Sequence, residues 1–250
     1  MIFITGDTHG DWMKRLKVES FPEQKEMTKN DYVIILGDFG IWDDSKREKY
    51  NLDWLENRPF TTLFVSGNHE NYDILDSLPI EEWHGGKVNF IRPSVIHLTR
   101  GQVFNIQNKT FFAFGGASSH DISAGILEPD DPLFKEKKRM LDKDPFALYR
   151  INHVSWWERE LPSREEMDNG FINLQKENNK VDYIITHSPS TSELYLMGGK
   201  GLYQSDVLTN YLEEVKANTE YKRHFFGHMH VNKAINEKDI CLYEQIIRIL

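Results

Sequence analysis

The sequence predicts an α/β fold in which two β-sheets pack face to face. In the first third of the chain, short apolar strands alternate with helical stretches, as they do in parallel βαβ units. Four strand-like runs then follow between residues 88 and 114 without helices, which indicates an antiparallel meander. The chain has 250 residues, of which 39% are hydrophobic and 12% aromatic, so it can bury the core of one large domain. We therefore expect one domain over residues 1–250.

The strands of the first half are read from apolar, β-branched runs that stop at turn residues. The helices are read from longer polar or charged stretches, of which two stop near a proline. The predicted strands are residues 1–5, 32–36, 63–65, 88–91, 95–98, 103–106 and 110–114, and the predicted helices lie within 12–29, at 45–57 and at 73–78.

The second half of the chain carries two matching helix-start signals. Ser155 with Glu158, and Ser163 with Glu166, have the spacing of a capping box, in which a serine and a glutamate satisfy the first N–H groups of a helix. The remaining predicted elements are strands at 181–186 and 223–226, a glycine-rich loop that includes Gly198, Gly199 and Gly201, a helix at 205–216 and two short strands in the tail.

Residues 118–153 form the least regular part of the sequence, and we expect them to be an insertion or a lid. An acidic, proline-containing stretch is followed there by a basic run of Lys135, Lys137, Lys138 and Arg139. A solvated helix face is the favoured interpretation of that run, because charged runs on helices usually lie in water. The alternative is a lid whose cations bind phosphate oxygens.

Charge and cysteine content weigh against several classes of protein. The formal net charge of −9 disfavours a protein that grips extended DNA or RNA, although bound metal cations would still allow a small phosphate substrate. The one cysteine, Cys241, lies in an apolar stretch and is expected to be a buried, inert thiol. We find neither a signal-peptide pattern nor an apolar segment of the roughly 18 residues that a membrane span requires. We therefore expect a cytoplasmic protein that does not associate with membranes.

Polar, metal-binding side chains follow five of the predicted strands at the point where each strand ends. Each motif alone has an ordinary explanation, since Asp7, Asp38 or Asn68 could cap a helix and a single histidine is more often structural than a ligand. Eight such groups would be costly to bury together without a counter-charge, which divalent cations can supply. The set is Asp7, His9, Asp38, Asn68, His69, His187, His228 and His230.

The composition of this set indicates which ions it would hold. Oxygen and imidazole ligands without a thiolate suit manganese, iron, zinc or nickel rather than copper(I). The groups are too many for one four-coordinate ion, and two ions that share a bridging carboxylate fit the number. We expect two divalent cations, with Mn²⁺ favoured over iron, zinc and nickel.

Five motifs in this order resemble those of the calcineurin-like metallophosphoesterases, and the compact layout is similar to the bacterial and bacteriophage members. The motifs are GDTHG, GDFG, GNHE, the strand-ending histidine of ITHS, and GHMH, and they span residues 6–230. The resemblance implies a four-layer αββα sandwich with a dinuclear metal site at the strand ends. It also implies a hydrolase of phosphate mono- or diesters, with a small phosphoester or a nucleotide as substrate.

The resemblance further implies a role for each residue of the set. The implied ligands are Asp7, His9 and His230 for one ion and Asn68, His187 and His228 for the other, with Asp38 bridging both. His69 is not a ligand in the family but faces the leaving group, as an acid or as a hydrogen-bond donor to a phosphoryl oxygen. Two ions about 3.5–4 Å apart would lower the pKa of a bridging water, and the resulting hydroxide would attack phosphorus in line.

One motif departs from a branch of the family. Protein serine/threonine phosphatases have GDxVDRG as the second motif, with an Asp that supports the catalytic His and an Arg that binds phosphate. This chain has GDFGIWD, with Ile41 and Trp42 in those places, which disfavours a phosphoprotein substrate. Asp43 and Glu70 are then candidates for orienting His69. Two alternatives stay open, a protein serine/threonine phosphatase and a catalytically idle metal-binding scaffold of the same fold.

Overall fold

The structure is a computed structural model that describes residues 1–198 and 204–250. Its strands are β1 (Ile2–Thr5), β2 (Tyr32–Ile35), β3 (Thr61–Phe64), β4 (Glu81–Trp83), β5 (Gly86–Arg92), β6 (Val95–Leu98), β7 (Gln102–Ile106), β8 (Lys109–Phe114), β9 (Ile126–Leu127), β10 (Arg150–Ile151), β11 (Lys180–Thr186), β12 (Glu220–Phe226), β13 (Lys233–Ala234), β14 (Asp239–Cys241) and β15 (Ile246–Arg248). Its helices are α1 (Trp12–Leu16), α2 (Lys46–Glu56), α3 (Tyr72–Ser77), α4 (Phe134–Leu141), α5 (Arg164–Lys176), α6 (Thr191–Gly198) and α7 (Val207–Asn218). None of the helices in this part of the chain is long and apolar enough to cross a membrane.

Part of the predicted glycine-rich loop is helical. Gly198 is the last residue of α6, so the loop prediction is wrong for residues 191–198. Gly199 and Gly201 lie outside the described residues.

Two large mixed sheets contain most of the strands. The first sheet has the order β15-β1-β2-β3-β6-β5-β4, and the second has the order β13-β14-β12-β11-β8-β7. Strands β1, β2, β3 and β6 run parallel in the first sheet, as do β8, β11, β12 and β14 in the second. The predicted βαβ units account for this parallel pairing, which brings the carboxyl ends of the central strands of each sheet to one edge.

The four strands between residues 86 and 114 are divided between the two sheets. β5 pairs antiparallel with β6 in the first sheet, and β7 pairs antiparallel with β8 in the second. Antiparallel pairing is thus confirmed for each hairpin, but the single meander that the spacing indicated is wrong. Burial explains the division, because Val88 and Ile96 of one hairpin and Phe104 and Phe111 of the other belong to the same core between the sheets.

Three hydrophobic clusters define the order of the layers. Alternate residues of a strand point to opposite faces of its sheet, so Ile4 belongs to the cluster between the sheets and Phe3 to the cluster outside the first sheet. The outer cluster of the first sheet includes Leu52 of α2, and that of the second includes Leu174 of α5 and Leu212 of α7. The order is helix, sheet, sheet, helix, which confirms the predicted four-layer αββα sandwich.

Only one of the two predicted capping boxes forms. At the start of α5, Ser163 Oγ accepts from the N–H of Glu166, whose carboxylate accepts from the N–H of Ser163. Ser155 Oγ instead accepts from the N–H of Ile151, and Glu158 begins a 3₁₀ turn that has no side-chain cap.

Candidate metal centre

The predicted ligands follow strands that end at one edge of the structure. The parallel strands β1, β2 and β3 belong to the first sheet, and β11 and β12 belong to the second. The residues that follow them are Asp7 and His9 after β1, Asp38 after β2, Asn68 and His69 after β3, His187 after β11, and His228 and His230 after β12. Five of these eight residues line one cavity of about 770 Å³, so the structure brings the two sheets' strand ends together.

Four of these residues have a backbone conformation that is uncommon for residues other than glycine. The backbone φ angle is 46° at His9, 42° at Asp38, 66° at His228 and 49° at His230. Backbone strain of this kind clusters at functional sites, where the surrounding structure holds it. Gly67 allows a further close approach, because a Cβ atom there would overlap Oδ1 of Asp38.

Asp7, His9, Asp38 and His230 form a first group, in which one ligand atom of each residue lies within 4.8 Å of the others. His9 Nε2 lies 3.1 Å from His230 Nε2 and 3.7 Å from Asp38 Oδ2. His230 Nε2 lies 3.1 Å from Asp7 Oδ2. These four side chains therefore converge on one point.

Asn68, His187 and His228 form a second group, in which His187 lies near the other carboxylate oxygen of Asp38. His187 Nε2 lies 3.4 Å from Asp38 Oδ1 and 3.4 Å from Asn68 Oδ1. The ring of His187 packs edge-on against that of His228, with centroids 5.0 Å apart. His187 Nδ1 donates to the Leu36 carbonyl at 2.7 Å, so Nε2 of the neutral ring offers a lone pair to this group. Asp38 thus has one oxygen toward each group.

Hydrogen bonds orient the amide of Asn68. Ser119 Oγ donates to Glu160 Oε2 at 2.7 Å and can therefore accept from Asn68 Nδ2, which lies 3.3 Å away. This leaves Asn68 Oδ1, the atom that can bind a cation, toward His187. Ser119 and Glu160 are both buried and were absent from the predicted set.

Several nitrogen and oxygen acceptors of this site face one another, and there are not enough hydrogen atoms to form hydrogen bonds between all of them. Nε2 of His9 and Nε2 of His230, 3.1 Å apart, can share at most one hydrogen while both rings are neutral. Among the described residues, the buried Asp7 Oδ2 has no hydrogen-bond partner of suitable geometry, although His230 Nε2 is 3.1 Å away. A divalent cation would satisfy such facing acceptors, and carboxylate, amide and imidazole atoms are suitable ligands. The residues therefore fit a metal centre.

Burial keeps several histidines of the site in the neutral form that binds metal. It lowers the pKa of His9, that of His69 to about 4 and that of His228 to about 3. The nearby carboxylate of Asp7, 3.1 Å from Nε2, raises the pKa of His230. Burial opposes the ionisation of Asp38, but the surrounding histidines lower its pKa to about 2, so this carboxylate is charged at neutral pH.

A cation that no motif predicted contacts His69. Arg150 Nη2 lies 2.9 Å from His69 Nε2. Because a guanidinium can only donate, His69 Nε2 is the acceptor and the proton of the neutral ring lies on Nδ1. Arg150 also donates to both carboxylate oxygens of Asp121, at 2.7 and 3.0 Å, and to the Ser155 carbonyl at 3.0 Å.

The sequence model of the calcineurin-like phosphoesterases matches residues 1–232 of this chain. The chain belongs to this family. It is accordingly a metal-dependent hydrolase of phosphoesters. The crystal structure of a phosphopantetheinyl hydrolase from Mycobacterium tuberculosis is similar over 97% of this chain and 89% of that chain, with 13% sequence identity and a TM-score of 0.44. No sequence among curated proteins matches this one at a significant level.

In this phosphoesterase, neither of the two predicted candidates contacts the His69 ring. Glu70 is buried and accepts the backbone N–H groups of residues 39–41 at 2.6, 3.0 and 3.1 Å, so it ties the GDFG turn to the GNHE turn. Asp43 accepts from the N–H of Ser45 at 3.0 Å. The side chain that forms a hydrogen bond with the His69 ring is that of Arg150, which lies in the irregular segment.

The basic run of that segment lies on a solvated helix. All of α4 is exposed or half-buried, which confirms the favoured interpretation. Lys137 pairs with Asp131 and Lys138 with Asp142, and none of the four basic residues lines the cavity of about 770 Å³. No contact in the described structure supports the alternative, in which these residues supply cations to phosphate oxygens.

The residues that the motifs missed lie in residues 118–153 or just after them. Arg150 contacts both His69 and Asp121, and Ser119 with Glu160 orients the amide of Asn68. The only sequence signal was the loss of regular patterning in this segment. A lone arginine in such a segment gives no indication that its side chain is 6% exposed, as that of Arg150 is.

Proposed function

We propose that this phosphoesterase binds two divalent cations at the site described above and hydrolyses phosphate mono- or diesters there. The proposed ligands are Asp7, His9 and His230 for one ion and Asn68, His187 and His228 for the other, with Asp38 between them. The observation that carries this assignment is that Asp38 turns one oxygen toward each of two groups of facing lone pairs. When bound, the ions would neutralise phosphoryl charge and lower the pKa of a coordinated water.

His69 is proposed to face the leaving group. Its pKa of about 4 and its contact with Arg150 keep the ring neutral near pH 7, with the proton on Nδ1. A neutral imidazole can donate this N–H to a phosphoryl or departing oxygen, whereas a general acid would need to be protonated at that pH. Of the two roles considered for His69, these features favour the hydrogen-bond donor.

The segment 118–153 is proposed to be a lid within a single domain that covers residues 1–250. Ser119, Asp121 and Arg150 line the same cavity as His69, which supports a role of the segment at the site. We also propose a cytoplasmic location, because the one cysteine, Cys241, is a buried free thiol and the chain cannot form an internal disulfide.

A hydrolysis screen tests the function directly. The purified protein is stripped of metal and then loaded with Mn²⁺, Fe²⁺, Zn²⁺ or Ni²⁺, and turnover of a chromogenic monoester, its diester, a nucleotide and a phosphopeptide is measured. We expect turnover of at least one small ester, highest with Mn²⁺, and two ions per chain. Two bound ions without turnover of any ester would favour the idle scaffold, and preference for the phosphopeptide would favour the protein phosphatase.

A variant of His69 separates ligand from catalytic residue. His69→Ala should keep both ions and lose about 10²–10³-fold in turnover, the usual cost of removing a hydrogen-bond donor that stabilises developing charge. His84→Asn is the matched control, because His84 is an exposed histidine with a φ of 51°, which asparagine tolerates. Metal content that falls together with turnover in His69→Ala would contradict the assignment.

A further inference from the structure

The guanidinium of Arg150 is fixed in place at the candidate metal centre. Its Nε and Nη2 donate to the two oxygens of Asp121, Nη1 donates to the Ser155 carbonyl and Nη2 also contacts His69 Nε2. The paired contact with a carboxylate is the geometry that most strongly orients an arginine. The Arg150 side chain is only 6% exposed, so its position is set by these four contacts and by packing.

The cavity that Arg150 lines is otherwise poor in cationic side chains. Asp38, Asp121 and Asp206 line it together with several histidines and serines. Among the described lining residues, Arg150 is the one lysine or arginine. The positive charge that the chain itself brings to this cavity is therefore concentrated beside His69.

One hydrogen-bond donor of Arg150 can be transferred to an anion. The contact from Nη2 to His69 goes to a neutral ring nitrogen, and hydrogen bonds to an anionic oxygen are stronger than those to a neutral acceptor. The carboxylate of Asp121 would hold the guanidinium while this donor turns to the anion. An anionic oxygen that enters the cavity near His69 would therefore displace the ring nitrogen from Nη2.

We infer that Arg150, held by Asp121, binds the phosphoryl group of the substrate and makes the enzyme prefer phosphate monoesters to diesters. This inference rests on the proposed function. A monoester has three terminal oxygens and a charge of about −1.5 to −2 at neutral pH, whereas a diester has two terminal oxygens and a single charge. A fixed guanidinium in addition to the metal ligands matches the group that has the extra oxygen and the extra charge.

The test compares one monoester and one diester of the same leaving group. kcat/KM for 4-nitrophenyl phosphate and bis(4-nitrophenyl) phosphate is measured with the Mn²⁺-loaded wild type, Arg150→Lys, Arg150→Met and Asp121→Asn. Arg150→Met should lose about 10–100-fold on the monoester, the range expected for a lost hydrogen bond to a charged group, and less than about 3-fold on the diester. Arg150→Lys and Asp121→Asn should show smaller losses in the same direction, because each keeps the charge at position 150 and loses the paired contact.

A binding measurement gives a readout that does not depend on turnover. The dissociation constant of inorganic phosphate is measured by calorimetry on the same Mn²⁺-loaded proteins, with metal content determined in parallel. We expect phosphate to bind about 10-fold or more weakly to Arg150→Met at unchanged metal content. Arg139→Lys is the control, because Arg139 is exposed in the same segment and does not line the cavity.

The possible outcomes separate the two proposals. Equal losses on both esters, an unchanged phosphate affinity, or a wild type that prefers the diester would overturn the role of Arg150. A wild type that turns over none of the small esters of the hydrolysis screen with any metal would instead contradict the proposed function. If Arg150→Met does not fold, as judged by circular dichroism, Arg150→Lys and Asp121→Asn decide by the same two measurements.

Discussion

Two clusters of carboxylates and histidines in the described part of the molecule have the spacing of a metal site. The first is the group of Asp7, His9, Asp38 and His230 at the strand ends. The second is formed by Glu193, His224 and Asp239, whose ligand atoms also lie within 4.8 Å of one another. Residue types and distances alone do not distinguish them.

The two clusters differ in whether hydrogen-bond donors lie between their acceptor atoms. In the second cluster, Lys216 Nζ donates to Glu193 and to Asp239, and the two ring nitrogens of His224 contact Glu193 and Thr186 at 2.8 Å each. An ammonium group thus occupies the place between the carboxylates that a cation would take. In the first cluster, acceptors face acceptors and Asp7 Oδ2 has no suitable partner among the described residues. Unshared lone pairs, rather than ligand-type residues, therefore indicate a metal site.

The largest effect should follow from removing one charge in the first cluster. Asp38→Asn keeps the shape of the side chain but loses the charge that faces both groups. We expect a loss of metal affinity and turnover well beyond the 10–100-fold that is typical for residues supporting a ligand. Metal content and kcat/KM are measured together, with Asp53→Asn as a control, because Asp53 is 62% exposed in a surface ion pair with Arg92. An Asp38→Asn variant with full metal content and activity would remove the distinction between the clusters.

A substitution in the second cluster should lower the stability of the folded protein and leave its metal content unchanged. Lys216→Met leaves Glu193 and Asp239 buried without their ammonium partner, and removal of one member of a buried ion pair costs about 3–5 kcal/mol. The free energy of unfolding is measured in urea. Lys222→Met is the control, because Lys222 is 64% exposed and its surface pair with Asp182 should contribute little to stability. A Lys216→Met variant that is as stable as the wild type, or that binds an additional ion, would contradict this account.

The elements around the first cluster could be predicted from the sequence, because each is indicated by residues that are close together in the chain. A buried strand shows as an apolar run, and a ligand that follows it shows as a motif, so Asp7, Asp38 and Asn68 could be proposed without a structure. The capping boxes show the limit of such signals. Ser163 and Glu166 form the predicted capping box. Ser155 and Glu158 have the same spacing, but the Ser155 hydroxyl instead accepts a hydrogen bond from the N–H of Ile151.

The contacts that the sequence could not predict join residues that are far apart in the chain. Arg150 meets His69 across 81 positions, and Lys216 meets Glu193 across 23 positions. Nothing in the neighbourhood of either cation in the sequence indicates its partner, because the contact depends on how a loop or a helix packs on the sheets. The crossing of the chain from one sheet to the other after β6 escaped prediction for the same reason.

A smaller effect should follow from removing the hydrogen bond that orients the amide of Asn68, which belongs to the second group of the candidate metal centre. Ser119→Ala removes the acceptor of Asn68 Nδ2, so the amide can turn and offer nitrogen instead of oxygen to the cation. We expect about a 10-fold weaker affinity for one of the two ions, the lower end of the range for supporting residues. Titration of the metal-free protein with Mn²⁺ measures it, with the exposed Ser20→Ala as a control. Two ions bound as tightly as in the wild type would show that Ser119 does not orient the ligand.

The smallest effect concerns the pH dependence of stability in the second cluster. Burial opposes the ionisation of Glu193, but His224 and Lys216 lower its pKa well below the ordinary value of 4.5. A carboxylate with a lowered pKa in the folded state contributes stability above its unfolded pKa and loses that contribution as the pH falls below about 4.5. The difference in unfolding free energy between the wild type and Glu193→Gln should therefore shrink on acidification from pH 6 to pH 3, by at most about 1.4 kcal/mol per pH unit.

This difference isolates Glu193 because Asp38, whose pKa is also lowered, is present in both proteins and its contribution cancels. Measurement on metal-free protein removes the further loss of ions that acid would cause. Glu19→Gln, at an exposed position, should leave the pH dependence unchanged. A constant difference between wild type and Glu193→Gln would mean that Glu193 is not held ionised by Lys216 and His224. The second cluster would then have lost the feature that separates it from a metal site.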